Sequence, residues 1–183
     1  IVSHYFNHAG LKNNWIDVRN FIKTDNTYRD ANVDWEKTQQ LISKGVKKKA
    51  LNITQGFLGS DENNFTTTLG REGSDYTAAI FAYCLSAESV TIWKDVPGVL
   101  NADPKWFSHT KKIDELSYHD AIELTYYGAT VIHPKTIKPL QNKNIPLYVK
   151  SFLKPKDAGT VIRDGEKRLN IPSYIFKIDQ VLI

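Results

Sequence analysis

The chain has one cysteine, no methionine and no long apolar run in its 183 residues. Cys84 cannot form an internal disulfide. It sits in the apolar run 78–85, where a buried structural thiol is expected rather than a nucleophile, in keeping with a reducing compartment. No stretch approaches the roughly 20 apolar residues needed to span a bilayer. The first ten residues carry Ser3, His4, Asn7 and His8 in place of a signal-peptide core, so a soluble cytoplasmic protein with no membrane partner is expected. Without methionine no natural start residue is visible, and the chain reads as a piece of a longer protein. Two phosphate-binding motifs are missing as well: neither Gly-x-x-x-x-Gly-Lys-Ser/Thr nor Gly-x-Gly-x-x-Gly occurs.

The net charge is +4 and the pI about 9.0. Lysine is scattered, with Lys47-Lys48-Lys49 the single run, placed between a helix end and a strand where solvation is the simpler reading. No set of stacking aromatics with interleaved basic residues stands out, so nucleic acid is not an expected partner. The histidines show no metal-ligand spacing except His4 and His8 at i and i+4, which have no third ligand nearby. No metal site is expected from them. His133, before Pro134, reads as a helix-start residue, and Trp15, Trp35, Trp93 and Trp106 read as core or interface aromatics.

The most informative stretch is Thr66-Thr67-Thr68-Leu69-Gly70-Arg71-Glu72-Gly73-Ser74-Asp75-Tyr76-Thr77-Ala78-Ala79. Hydroxyls, an arginine and glycines run into an apolar segment, with Ser74 at the expected N-cap of a buried helix. A helix start offers unpaired N–H donors and a favourable dipole to an anion, and Arg71 can grip a carboxylate or phosphate with two parallel hydrogen bonds. Around it, strand and helix alternate. A helix is expected from Asp34 as cap, with Gly45 beyond its end, and strands over 51–54, 89–93 and 145–149. Ser117 with Asp120 resembles a capping box for a helix closed by Gly128, and Pro134 opens a further helix. Loops at Gly56, Lys94-Asp95 and 148–150 leave the carboxyl ends of strands, where ligands bind in open α/β sheets.

These residues carry a resemblance. With Gln55-Gly56-Phe57-Leu58-Gly59 upstream and Trp93-Lys94-Asp95-Val96-Pro97-Gly98-Val99-Leu100-Asn101-Ala102-Asp103-Pro104 downstream, the chain resembles aspartokinases of the amino-acid kinase family. Asp25-Asn26, Ala31 and Val33-Asp34-Trp35-Glu36 agree, as do Glu115-Leu116-Ser117-Tyr118, Glu123-Leu124-Thr125-Tyr126-Tyr127-Gly128-Ala129, His133-Pro134-Lys135-Thr136, Asn144-Ile145-Pro146-Leu147 and Ala158-Gly159-Thr160-Val161-Ile162. The resemblance implies a three-layer α/β/α sandwich with a mainly parallel sheet, present as a partial domain. Residues 1–165 would be its C-terminal, nucleotide-side part, and 166–183 a linker and first strand of an ACT regulatory region. The family's opening Lys-Phe-Gly-Gly strand is not in this chain.

The implied reaction transfers the γ-phosphoryl group of ATP, with Mg²⁺, to the β-carboxylate of L-aspartate, the first step towards lysine, threonine and methionine. The chain's positive charge suits ATP, and a homo-oligomer through the ACT region is implied. Arg71 would bind the α-carboxylate of aspartate with Ser74, Thr67 and Thr68. Asp75 would be the acidic organiser of catalysis. Lys94, Asp95, Leu100, Lys105, Thr130, Val131, Gly56 and Gly59 would line the nucleotide, with Asp95 towards its nucleoside end or Mg²⁺. Several positions depart from the pattern. Lys94 stands for a usual threonine, Leu100 for a tyrosine, Lys105 for an arginine, Glu72 for a glycine and Thr130 for a lysine. Lys94 or Lys135 is then expected to supply the missing charge, and the chain alone to be inactive. A non-catalytic nucleotide-binding module and another amino-acid kinase, for glutamate or uridylate, are the alternatives.

Overall fold

A computed structural model describes residues 1–126 and 131–165 of the chain. Packing divides it into two compact units, residues 1–86 and the segment from Ala87 onward.

The first unit runs α1 (Val2–His8), β1 (Asn14–Ile16), a short 3-10 turn (Val18–Asn20), α2 (Trp35–Gly45), β2 (Asn52–Thr54), β3 (Leu58–Ser60), β4 (Thr66–Thr68) and α3 (Gly73–Leu85). β1 and β2 pair in parallel, and β3 and β4 form an antiparallel hairpin with Gly59 opposite Thr67. α2 starts as its sequence dictates, the Asp34 carboxylate accepting the Lys37 N–H at 3.0 Å. Its end differs from expectation: Gly45 is the last helical residue and Val46 the cap. A Cβ at Gly45 would stand 2.5 Å from the Phe21 ring, so the glycine answers a close approach rather than a left-handed turn.

The first unit's core gathers Ile16, Val18, Ile22, Ile42, Leu69, Ile80 and Cys84. Cys84 is a buried free thiol, as expected. Trp35 packs edge-on against Tyr83, its ring centroid 5.0 Å away. Of the four tryptophans read as core or interface aromatics, Trp35 packs on the core, while Trp15, Trp93 and Trp106 are exposed.

The second unit contains β5 (Val90–Lys94), β6 (Glu115–Ser117), α4 (Tyr118–Tyr126), α5 (Pro134–Asn142), β7 (Leu147–Ser151) and β8 (Thr160–Arg163). Its sheet has the order β5-β7-β8-β6. β5–β7 and β6–β8 are parallel, while β7–β8 is antiparallel. Gly159, at the end of the loop from β7 to β8, takes φ 75 with Val149 O packed where a Cβ would be. Ser117 caps α4 through the Asp120 N–H at 3.0 Å, and the His133 ring accepts the Lys135 N–H at the start of α5, leaving Pro134 at its first position. The closing Gly128, and the strand read over 174–183, lie outside the described residues.

Tyr118 is 2% exposed, and its hydroxyl donates to the carbonyl of Ile145 at 2.7 Å. Burial, and then the nearby Asp164, push its phenol up to about 12. A group raised above the roughly 10 of an unfolded tyrosine stabilises the fold fully below that pH and loses its contribution as pH rises through the folded value. Tyr118→Phe is expected to cost about 1–2 kcal/mol at neutral pH, leaving a buried carbonyl without its donor. In urea titrations the gap between the two proteins should narrow from pH about 10 to about 12; a gap independent of pH would contradict this.

Candidate functional site

The site grows from the turn between β4 and α3. Gly70 has φ 77, and a Cβ there would run into the carboxylate of Asp30. Glu72 is also left-handed, at φ 53, and occupies the N-cap without a side-chain cap bond. The Gly73 N–H donates to Gly70 O at 3.1 Å. These two left-handed residues wind the chain into a helix that begins at Gly73. Ser74 is therefore not the cap: it is the second helical residue and exposed, and its hydroxyl is not turned into capping. The N–H groups of the first turn have no intrahelical acceptor. Arg71 stands exposed beside them and makes no ion pair with Glu72 or with any other described residue. Asp75 lies half-buried in the same turn.

Thr67 and Thr68 do not join this cluster. Thr67 is fully buried, its hydroxyl 2.7 Å from that of Thr24. The Thr68 hydroxyl donates to Arg29 O at 2.8 Å. Both belong to a strand that must satisfy its own polar groups. Gly59 is also corrected: it is buried in β3, and a Cβ there would lie 2.9 Å from the Thr24 methyl and 3.2 Å from the Thr67 hydroxyl. Gly56 belongs to the Arg71 cluster, since a Cβ on it would be 2.9 Å from Ser74 Cα.

The loop bearing Gly56 is held on both sides. The Gln55 amide donates to Asp17 at 2.8 Å and accepts the Val18 N–H at 3.2 Å. Asp17 is also gripped by the Arg19 guanidinium, which holds its carboxyl well below the usual range. On the other side, the Phe57 N–H donates to the Thr77 hydroxyl at 2.9 Å. Gln55, Phe57 and Thr77 were not singled out from sequence, although Thr77 follows Gly73 by the four residues that place both on one helix face.

In the second unit, Lys94 ends β5 half-buried, and its carbonyl accepts the Phe152 N–H at 2.9 Å. Asp95 is exposed just after it. Leu100 pairs across the backbone with Lys112, and Lys105 is exposed, its N–H held by the Asp103 carboxylate at 2.8 Å. Val131, half-buried, lines a small apolar cavity with Val99 and Leu116. Thr130 lies outside the described residues.

Among the described residues, one cluster has the reach to hold a metal ion: His119, Asp120 and Glu123 on α4, Asp120 half-buried and the other two exposed, a grouping that linear spacing did not reveal. The His119 ring is 4.0 Å from Asp120 and 3.9 Å from Glu123, an ordinary solvent-side ion-pair distance. Mg²⁺ is commonly held through one or two carboxylates together with substrate phosphates. Asp95, open at the end of β5, fits that requirement chemically. A separate polar cleft of about 820 Å³ in the first unit is lined by Lys23, Asp25, Asp34, Lys37 and Asp61 among others, and by none of the expected site residues. Its lysines are engaged: Lys23 with Ser60 and Asn64, Lys37 with Asp34. No helix among the described residues is long and apolar enough to cross a membrane.

An α/β chain with a glycine-shaped turn into a buried helix falls within a defined class: residues 1–151 match the model of the amino acid kinase family, and the chain belongs to that family. Within it the similarity is to aspartokinases. The lysine-sensitive aspartokinase 3 of Escherichia coli (strain K12) is 41% identical over 151 residues, covering 81% of this chain and 34% of that protein. The bifunctional aspartokinase/homoserine dehydrogenase 2 of Arabidopsis thaliana is 34% identical over 165 residues, 88% of this chain and 18% of its own length. A solved structure of E. coli aspartokinase III with aspartate and ADP superposes with a TM-score of 0.86 at 37% identity, covering 91% of this chain and 38% of that one. The chain thus spans about a third or less of the length of these relatives.

Gly70→Ala should destabilise the chain by about 2 kcal/mol or more, combining a left-handed backbone with a clash against Asp30. Asp30→Gly should recover part of that loss in the double variant. Urea unfolding of the four proteins checks it, and strictly additive losses would show that Asp30 is not what excludes the alanine.

Proposed function

We propose that this chain is part of an aspartate kinase, in which the first unit binds L-aspartate and the second binds ATP. The observation that carries the reading is the start of α3: an arginine without an ion-pair partner among the described residues and an exposed serine stand at a helix N-terminus that no side chain caps. That is a donor set for a carboxylate. The similar E. coli aspartokinase III is in complex with aspartate and ADP, which supports the same pair of ligands here.

In this reading Arg71 takes the α-carboxylate of aspartate as a bidentate pair and Ser74 adds a hydrogen bond, fixing the molecule so that its β-carboxylate is the free end. Asp75 orders the charges around the transferring group, pairing with a lysine supplied by the rest of the protein. Lys94 and Lys105 neutralise the nucleotide phosphates, while Asp95 is directed to the nucleoside end or to Mg²⁺. The β-carboxylate oxygen attacks the γ-phosphorus, the bond to the β-phosphate oxygen breaks, and aspartyl phosphate and ADP leave. Such transfer depends mainly on holding two anions in line and screening developing charge. No covalent protein intermediate is required.

In the full-length protein, Arg71→Ala is expected to raise the aspartate KM roughly 30- to 1,000-fold, the equivalent of about 2–4 kcal/mol for a desolvated bidentate pair, with little change in the KM for ATP. Equal losses for both substrates would move Arg71 to the phosphates. A second reading, a nucleotide-binding module without catalysis, is favoured by Thr130 standing where the resemblance expects a lysine. Full-length protein that binds ATP by calorimetry yet forms no aspartyl phosphate would establish that alternative.

A further inference from the structure

The hydroxyl of Thr77 lies beneath the candidate carboxylate site and is used twice. It donates to Gly73 O at 2.9 Å and accepts the Phe57 N–H at 2.9 Å. Thr77 is 3% exposed, so water does not compete for either bond. Phe57 has φ 75, a left-handed conformation costly for a bulky residue and kept only where neighbours fix it. Its carbonyl is fixed as well, accepting the Leu69 N–H at 2.9 Å. The two segments touch closely enough that a Cβ on Gly73 would stand 2.7 Å from the Phe57 ring, and one on Gly56 2.9 Å from Ser74 Cα.

We propose that Thr77 is a positioning residue for the acceptor substrate: its hydroxyl holds the Gln55–Gly59 loop in its left-handed bend against the first turn of α3, and so sets the wall beside Arg71 and Ser74. The inference rests on the assignment of that turn to the carboxylate of aspartate. It goes beyond it in naming a buried hydroxyl, with no route to the substrate, as a determinant of how tightly aspartate is held. Without the Thr77 hydroxyl, Gly73 O loses its side-chain donor, the Phe57 N–H loses its acceptor, and nothing else described holds that N–H. The loop then relaxes away from Ser74.

The test uses the full-length kinase with ATP, Mg²⁺ and varied aspartate. Thr77→Val, which keeps the shape and removes the hydroxyl, should raise the aspartate KM tenfold or more while the ATP KM stays within about twofold, and Thr77→Ser should restore the parent value to within about threefold. Should the valine protein not fold, Thr77→Ala is read in the same way. Amide exchange at Phe57 gives a readout independent of turnover: it should quicken at least tenfold in Thr77→Val and not in Thr77→Ser. A serine variant as impaired as the valine one, unchanged Phe57 exchange in Thr77→Val, or equal rises in both KM values would overturn the proposal. Arg71→Ala measured alongside separates the two ideas. If it leaves the aspartate KM unchanged, the substrate assignment falls and the positioning role with it. If only Thr77→Val leaves it unchanged, the positioning role alone falls.

Discussion

The close approach of the Gln55–Gly59 loop to the first turn of α3 is the constraint on which the rest of the first unit's site depends. Two backbones meet there with hydrogen atoms where side chains would normally be, at Gly56 and Gly73. Phe57 must turn left-handed to let the chain pass, so its N–H and C=O need partners from outside its own strand and find them in Thr77 and Leu69.

What could be read from sequence and what could not divide along physical lines. Helix starts set by a single side chain were legible, because a cap is a local bond: Asp34, Ser117 and His133 each sit where their residue types put them. The start of α3 lies two positions earlier than a capping Ser74 would put it, since it is set by backbone dihedrals at Gly70 and Glu72 and not by a hydroxyl. The reading of Thr67 and Thr68 as ligand contacts failed for a related reason. A hydroxyl in a strand looks the same in sequence whether it faces a ligand or a neighbour such as Thr24, and only the fold supplies that neighbour.

The glycines divide in the same way. Their spacing carried a family likeness, yet spacing does not say what each hydrogen makes room for. Gly45 admits a phenyl ring, Gly56 a helix backbone and Gly70 a carboxylate. Val131 shows the limit from the other side: an apolar residue next to a candidate phosphate contact has a simpler place among Val99 and Leu116. The α/β class and the turn into α3 were visible because alternation and helix-start chemistry are short-range patterns. The hold exerted by Thr77 was not, because it links segments 20 residues apart.

The helix that carries the site is bounded at both ends by left-handed residues other than glycine, Glu72 at φ 53 and Ser86 at φ 50. Neither end can lengthen unless such a residue crosses to another backbone basin, so the helix does not grow beyond its 13 residues. An anion bound at Ser74, as proposed, would then meet a helix start of set position and have little backbone to order. Its binding would lose correspondingly little conformational entropy, and affinity at this end of the helix depends on how well the ligand's charge fits and not on how much of the protein it must organise.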